Sequence, residues 1–443
     1  MLDHEIRINP RKAWLIVALL FCYSVINFFD KLVLGLAAVP IMKELALTPA
    51  QYGLVASSFY WLYAVSGVVV GLFVINRVKP KWLLLSLVLV WSLAQAPIAF
   101  SSSLTVLVVC RILLGMGEGP GTPSAYDACH GWFPSDKRNL PTAIIIQGTS
   151  VGFLVGAPVL SHVIMQYGWR PAFLLCSGLG LVWIVAWAVW GEDGPISLLS
   201  DKTPSRDSKV ADTVPWTVLW FDRTMIGSYV LGFGSYWLVG LSVAWLAPYL
   251  QMALGYDGKT VGWIISAMHA AQPPIVLAIS YLSERALRGG MTSNHARALV
   301  NAACLVAGGV LLAVAMSIQG AGFMKVAILA VGFVLPMMTF VLGPAIVSEV
   351  APIGQRGTAL LVTYSIITIS GLISPVVMGF SLQAAGPGNV GAGYSQAFII
   401  TSAVLICTGV LGYFLLDPEA SKRRFGNMRA ANAVSANLAP RAA

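Results

Sequence analysis

Four charged residues stand out inside long apolar stretches of this sequence. Asp30 and Lys31 are adjacent in the first stretch, and Arg111 and Glu118 share another. A charge at the centre of a membrane-spanning helix costs about 2.5–3.5 kcal/mol on insertion scales, so such residues usually face a polar cavity and mark function. Charged side chains in such positions commonly line substrate or ion pathways. These residue types therefore indicate binding or passage of a charged species.

Helical geometry predicts where these charges lie. At a rise of 1.5 Å per residue, Asp30 is about 24 Å along its stretch and Arg111 about 10 Å from the opposite surface, at a similar depth. Glu118 follows Arg111 by about 10 Å on the same helix face. We therefore expect two charge pairs around one central cavity. Three alternatives stay open: Lys31 snorkels to the outer interface, Asp30 only neutralises Lys31 or caps a helix end, or Arg111 and Glu118 form a structural ion pair.

The composition shows what must position these residues. The chain has 443 residues, of which 57% are hydrophobic and 10% charged, with a mean hydropathy of +0.79. Soluble globular proteins carry about 25% charged residues, and disordered chains are polar and strongly charged, so both classes are excluded. The sequence predicts an all-α integral membrane protein.

Counting about 20 apolar residues for each membrane crossing gives twelve spans. They lie near 14–39, 52–75, 82–100, 104–129, 140–165, 171–190, 224–250, 258–282, 297–318, 323–347, 358–382 and 394–416. The predicted organisation is a six-helix bundle at 1–190, a cytoplasmic linker at 191–222, a second six-helix bundle at 223–417 and a cytoplasmic tail at 418–443.

The distribution of Lys and Arg predicts the orientation. With both termini inside, the inner segments hold 21 of these residues and the outer loops four. Because basic residues are enriched in cytoplasmic loops, both termini are predicted to be cytoplasmic, in a cell membrane and most simply a bacterial inner membrane. The same placement in short loops argues against a nucleic-acid partner for this +9 chain.

The sequence offers little support for an enzyme. It has no HExxH, DxxD or P-loop pattern, and its six cysteines form no CxxC pair. Its GxSxG match, Gly148–Gly152, lies inside an apolar span rather than on the strand-to-helix turn that a hydrolase nucleophile requires. We therefore predict no enzymatic activity, no metal site and no cofactor.

The two halves of the sequence echo each other. Pro134–Arg138 before span five corresponds to Pro352–Arg356 before span eleven, and Gly168–Phe173 corresponds to Gly393–Phe398. Two six-helix repeats in parallel orientation are the plan of the major facilitator fold.

Several motifs resemble those of the anion:cation symporter family within the major facilitator superfamily. They are Ser57-x-Phe59-x-Trp61-x-Tyr63-Ala64 in span two, Arg111-Ile-Leu-Leu-Gly115-x-x-Glu118-x-Pro120-x-x-Pro123 in span four, Trp132-Phe-Pro134, Gly168-Trp-Arg170 and Trp245-Leu-x-Pro248-x-Leu250. Members include proton-coupled carriers of sugar acids and other carboxylates. The resemblance implies proton-coupling roles for Asp30 and Glu118 and anion-binding roles for Lys31 and Arg111.

The sequence also departs from the family pattern. The loop that begins Asn76-Arg77 lacks the usual acid, and Lys31 stands where the family has Arg. The family Asn in span eleven, a ligand contact in sugar-acid carriers, falls on Thr368.

Further candidate substrate contacts are aromatic or polar. They are Tyr63, Tyr236, Gln272, Tyr364 and Thr368. We predict a monomeric secondary transporter that imports an organic anion, such as a sugar acid or an aromatic acid, by proton symport with alternating access. An anion exchanger or a polyspecific exporter is the alternative.

Overall fold

The structure is a computed structural model that describes residues 9–74, 77–134, 137–195, 214–320 and 322–438. Most of the predicted linker 191–222, the last residues of the predicted tail 418–443, and Asn76 lie outside the described residues. The predicted domain boundaries therefore stay a prediction.

The described residues contain twelve helices that are long and apolar enough to cross a membrane, and no β-strand. They are α1 (Pro10–Leu36), α2 (Pro49–Val74), α3 (Pro80–Phe100), α4 (Leu104–His130), α5 (Leu140–Tyr167), α6 (Trp169–Trp190), α7 (Arg223–Ala253), α8 (Gly258–Arg288), α9 (Asn294–Ser317), α10 (Phe323–Val350), α11 (Arg356–Ala385) and α12 (Pro387–Leu415). This confirms the predicted all-α, twelve-helix membrane protein.

Local sequence determines where the first helices begin. Proline occupies the first position of α1, α2 and α3, where its missing N–H needs no partner. The Asn9 side chain accepts hydrogen bonds from the first amides of α1, and Thr48 and Gln51 form a capping box at α2. Gly168, with φ of +89°, separates α5 from α6 in a conformation that glycine adopts without strain.

The chain divides into two compact units. Unit 1 comprises Met1–Thr203, Gly240–Ala270 and Gly371–Ala397, and so contains α1–α6 with parts of α7, α8, α11 and α12. Unit 2 comprises Pro204–Val239, Ala271–Ser370 and Phe398–Ala443.

Close helix packing organises unit 1. Helix α1 lies along α5, α2 along α4, and α3 along α6. The α5 glycines Gly148, Gly152 and Gly156 lie against the backbone and side chains of α1, as the small-xxx-small pattern predicts for a packing ridge. Gly115 of α4 presses against the Phe59 carbonyl of α2 with no room for a Cβ, so α2 and α4 approach closely.

Unit 2 has a further helix, Pro418–Leu438, after its last membrane helix; we call it the tail helix. Its Phe425 is buried in an apolar cluster with residues of α7, α10 and α11. The Ser421 hydroxyl donates to the buried Asp222 carboxylate across 2.6 Å. The tail helix is therefore packed against unit 2 rather than freely solvated.

Candidate functional site

Unit 1 brings the four predicted charges together. Asp30, Arg111 and Glu118 are each at most 2% exposed, and the Lys31 side chain is 12% exposed. Helix α1 supplies Asp30 and Lys31, and α4 supplies Arg111 and Glu118 on one face. We call these four residues the charge cluster.

The strongest interaction in the charge cluster joins α1 to α4. The Lys31 ammonium lies 2.8 Å from the Glu118 carboxylate, and it also donates to the Asn27 side-chain oxygen one turn earlier on α1. Lys31 therefore points inward to Glu118 rather than snorkelling outward. Because removing one partner of a buried pair leaves the other charge uncompensated, at a cost of about 3–5 kcal/mol, this contact ties α1 to α4.

The backbone of α4 is interrupted beside this pair. Its first α-helical segment ends at Glu118, and a second begins at Gly121. Pro120 has no N–H, so the regular hydrogen-bond ladder cannot run through this point. Glu118 thus occupies a break in a membrane helix, a position typical of transporter ion and substrate sites.

Asp30 has a different partner. The Gln95 amide of α3 donates to its carboxylate across 2.5 Å, and Gln95 is fully buried. The Cys176 thiol of α6 is a further hydrogen-bond partner of the Asp30 carboxylate, whereas the Gln95 carbonyl has none among the described atoms. Asp30 is therefore held by neutral donors from α3 and α6.

Arg111 has unused donors. Its guanidinium lies over the Phe59 ring at 4.9 Å, a cation–π contact with α2. Its Nε and Nη1 have no hydrogen-bond partner in the described part of the chain. Buried donors normally find partners, so Arg111 is equipped to bind a carboxylate.

Aromatic rings connect the charge cluster to α8. The Lys31 ammonium lies 4.6 Å from the Phe28 ring centre, and Phe28 contacts Phe153 of α5 at 5.0 Å. Phe153 in turn stacks on His269 at 3.7 Å with the planes only 11° apart. The Ser266 hydroxyl, one turn earlier on α8, donates to the Leu154 carbonyl across 2.7 Å. These contacts lie within unit 1.

The remaining predicted substrate contacts divide between the two units. Tyr63 is buried in unit 1, with its ring centre 5.9 Å from the Lys31 ammonium. In unit 2, Tyr236 and Tyr364 meet edge to face at 6.0 Å. The Thr368 hydroxyl donates to the Ser365 carbonyl of its own helix, and Gln272 is half-buried.

Sequence reasoning missed Asn27 and Gln95. Asn27 precedes Lys31 by four residues, the spacing that places two side chains on one helix face. Gln95 is the one amide residue in α3, in an otherwise apolar context. The spacing of Asn27 and the isolation of Gln95 could both be read from the sequence. Polar uncharged residues are common in membrane helices, however, so neither residue stood out.

Comparison with known proteins identifies the wider group. A family model described as "Major Facilitator Superfamily" matches residues 19–375. A hexuronate transporter of Bacillus subtilis is 24% identical, over 88% of this chain and 92% of its own. A probable sulfoacetate transporter of Cupriavidus necator is 26% identical, over 89% and 91% of the two chains.

Solved structures agree on the fold. The crystal structure of a bacterial homolog of the human lysosomal transporter Spinster, inward-facing and unoccupied, superposes with a TM-score of 0.77. It is 15% identical and covers 95% of this chain and 98% of its own. The matched family and the transporter relatives confirm the predicted major facilitator fold and the prediction of a transporter rather than an enzyme.

Proposed function

The chain belongs to the Major Facilitator Superfamily, and from this premise we propose that it imports a small organic carboxylate together with protons by alternating access. The observation that carries the proposal is the buried Lys31–Glu118 ion pair beside the unpartnered donors of Arg111.

Charge balance explains the coupling. With all four groups ionised the charge cluster is neutral and has no net attraction for an anion. Protonating Glu118 alone leaves Lys31 as an unpaired buried cation, and binding a carboxylate alone gives the cluster a net negative charge. Either state is costly in a low-dielectric site. When a proton and a carboxylate bind together, the cluster stays neutral. Joint binding is therefore favoured over binding of either one alone.

Arg111 is the proposed principal anion contact. Its planar guanidinium can bind a carboxylate through parallel hydrogen bonds, whereas the Lys31 ammonium acts as a compact point charge. The ligands named for the relatives, hexuronate and sulfoacetate, are both carboxylates. A carboxylate is the group that they share, and we assign it to Arg111, with Lys31 as the second cation once Glu118 is protonated.

Tyr63, Tyr236, Gln272, Tyr364 and Thr368 are proposed to contact the remainder of the substrate. Hydroxyl and amide groups suit a polyhydroxylated acid, and tyrosine rings suit a partly apolar one. The excess of Lys and Arg in alternate loops supports a cytoplasmic location for both termini and thus a cell inner-membrane carrier.

Proteoliposomes with an imposed pH gradient test the coupling. Radiolabelled hexuronates, sulfoacetate, galactonate and aromatic acids are offered one at a time to the wild type, Glu118→Gln and Glu284→Gln. Glu284 is an exposed acid paired with Arg288, so its variant makes the same chemical change outside the charge cluster.

We expect the pH gradient to drive accumulation of one compound class in the wild type and Glu284→Gln. Glu118→Gln should lose pH-driven accumulation while retaining counterflow of the same compound. Full pH-driven accumulation by Glu118→Gln would overturn the assignment of Glu118. Wild-type counterflow with no response to the gradient would identify an exchanger instead.

A further inference from the structure

A basic cleft lies in unit 1 at the end where α1 and α3 begin and α6 ends. It has a volume of about 450 Å³, and the residues that define its character are Arg11, Lys12, Leu15, Lys81, Trp190 and Glu192. None of them belongs to the charge cluster, and the proposed transport mechanism does not use them.

The cleft keeps a positive charge after its internal pairing is counted. Lys12 forms an ion pair with Glu192. The Lys81 ammonium donates to the Ala188 carbonyl across 3.1 Å, and Arg11 forms no ion pair with any described residue. Asp193 accepts a hydrogen bond from the Lys81 amide at the edge of the cleft. Even when this acid is included, the three cations among the described residues exceed the two carboxylates.

The wall of the cleft is apolar on the side that faces outward from the helices. Leu15, Val189 and Trp190 are 40%, 67% and 54% exposed, and each lies in the end turns of a membrane-crossing helix. Apolar side chains exposed on such helices face acyl chains, and tryptophan is enriched at the headgroup level. The cleft therefore combines a cationic floor with an apolar wall open to the hydrocarbon.

We propose that this cleft binds an anionic phospholipid, with the phosphate at Arg11 and Lys81 and the acyl chains along Leu15 and Val189. Basic pockets between membrane helices are suited to anionic headgroups. Free phosphate has no apolar part that could contact this wall, so the wall favours a phospholipid over phosphate. The proposal is independent of the transported substrate.

Native mass spectrometry of the detergent-purified protein tests the site by titration with phosphatidylglycerol, alone and in competition with phosphatidylcholine or inorganic phosphate. The cleft variant is Arg11→Gln with Lys81→Gln, and the charge-retaining variant is Lys81→Arg. The matched control is Arg77→Gln with Lys79→Gln, which removes two exposed charges from the adjacent loop without touching the cleft. Melting temperatures without lipid check that each variant is folded.

We expect phosphatidylglycerol to bind the cleft variant about tenfold or more weakly than the wild type, since each surface cation contributes appreciably to anionic-lipid binding. The Lys81→Arg variant and the loop control should bind close to the wild-type level, and neither phosphatidylcholine nor phosphate should compete. Equal weakening in the cleft variant and the loop control would overturn the proposal, as would competition by phosphate or unchanged binding by a folded cleft variant.

Discussion

The buried polar groups of the two units differ in kind. The interior of unit 1 holds the four residues of the charge cluster, including the Lys31–Glu118 ion pair. The interior of unit 2 holds a neutral chain: Ser235 donates to Thr339 across 2.6 Å, and Thr339 donates to Asn301 across 2.8 Å. The buried charges that the structure describes in unit 2, Asp222 and Lys325, lie at helix ends.

This difference separates two physical tasks. A neutral hydrogen-bond chain keeps the same charge at every physiological pH, so it can recognise hydroxyl groups or stabilise helix packing but cannot respond to a proton gradient. An ion pair in a low-dielectric interior depends on the protonation of both partners. Under the proposed function, we therefore expect charge coupling in unit 1 and charge-independent contacts in unit 2.

The comparison is tested most strongly at Arg111. We expect Arg111→Gln to lower uptake of the transported carboxylate by about a hundredfold or more, because it leaves a net negative buried cluster that repels an anion. Arg111→Lys keeps the charge but loses the planar guanidinium, so its uptake should lie between that of the wild type and that of Arg111→Gln. Uptake into proteoliposomes measures both, with membrane expression as the control. Wild-type uptake by Arg111→Gln would remove the basis for assigning the anion to unit 1.

A second test removes a hydrogen bond to Asp30 without changing the charge of the cluster. Gln95→Leu removes the amide that donates to Asp30, and an unsatisfied buried carboxylate costs about 1–3 kcal/mol or more. We expect about a tenfold loss of pH-driven uptake, with a shifted pH profile. Ser86→Ala, also on α3 but bonded only to its own helix, is the control and should behave as the wild type. A pH profile that does not move in Gln95→Leu would show that this bond is merely structural.

The third test is made in unit 2. Thr339→Val breaks both hydrogen bonds of the neutral chain while keeping the side-chain shape, and should lower the free energy of unfolding by about 1–3 kcal/mol. Thermal denaturation in detergent measures the loss. The pH dependence of the remaining uptake should match the wild type, and a shift in that profile would break the distinction between the units.

The smallest effect is expected at an exposed ion pair of unit 1. Hydrogen bonds from the Trp169 indole N–H, at 2.7 Å, and from the Arg170 guanidinium hold the pKa of Glu44 below its ordinary value. A lowered folded-state pKa stabilises the protein above the unfolded pKa of about 4.3 and stops doing so as the pH falls through the folded value.

Glu44→Gln should therefore lower the melting temperature slightly at pH 7 and not at all in strong acid, with pH-driven uptake unchanged. Thermal scans from pH 7 downward measure this. A large loss of uptake in Glu44→Gln would mean that charges outside the membrane also contribute to coupling, contrary to the role given to the buried cluster.

The sequence predicted the membrane helices well because their signal is simple. Twenty consecutive apolar residues have few stable alternatives to a membrane helix, and every predicted span corresponds to a helix of the structure. The four charges were also predictable, since each is conspicuous in an apolar stretch.

Their partners were harder to predict. The depth argument placed Glu118 about 10 Å beyond the level of Asp30 and Arg111, yet Lys31 reaches it, because a lysine side chain is long and rotates freely. Gln95 belongs to a helix 65 residues after Asp30, and Phe153 meets His269 across an even longer separation. The pairing of helix faces depends on close packing, such as that at Gly115. The periodicity of the sequence alone does not specify this pairing.

The ion pair between α1 and α4 also bears on how the protein is made. During synthesis α1 enters the membrane before α3 and α4 exist, so Asp30 and Lys31 must at first be tolerated by the apolar length of α1 alone. Gln95 arrives later as a hydrogen-bond donor to Asp30, and Glu118 then pairs with Lys31. Helix α1 thus gains the ion-pair partner of Lys31 only once the fourth helix has been inserted.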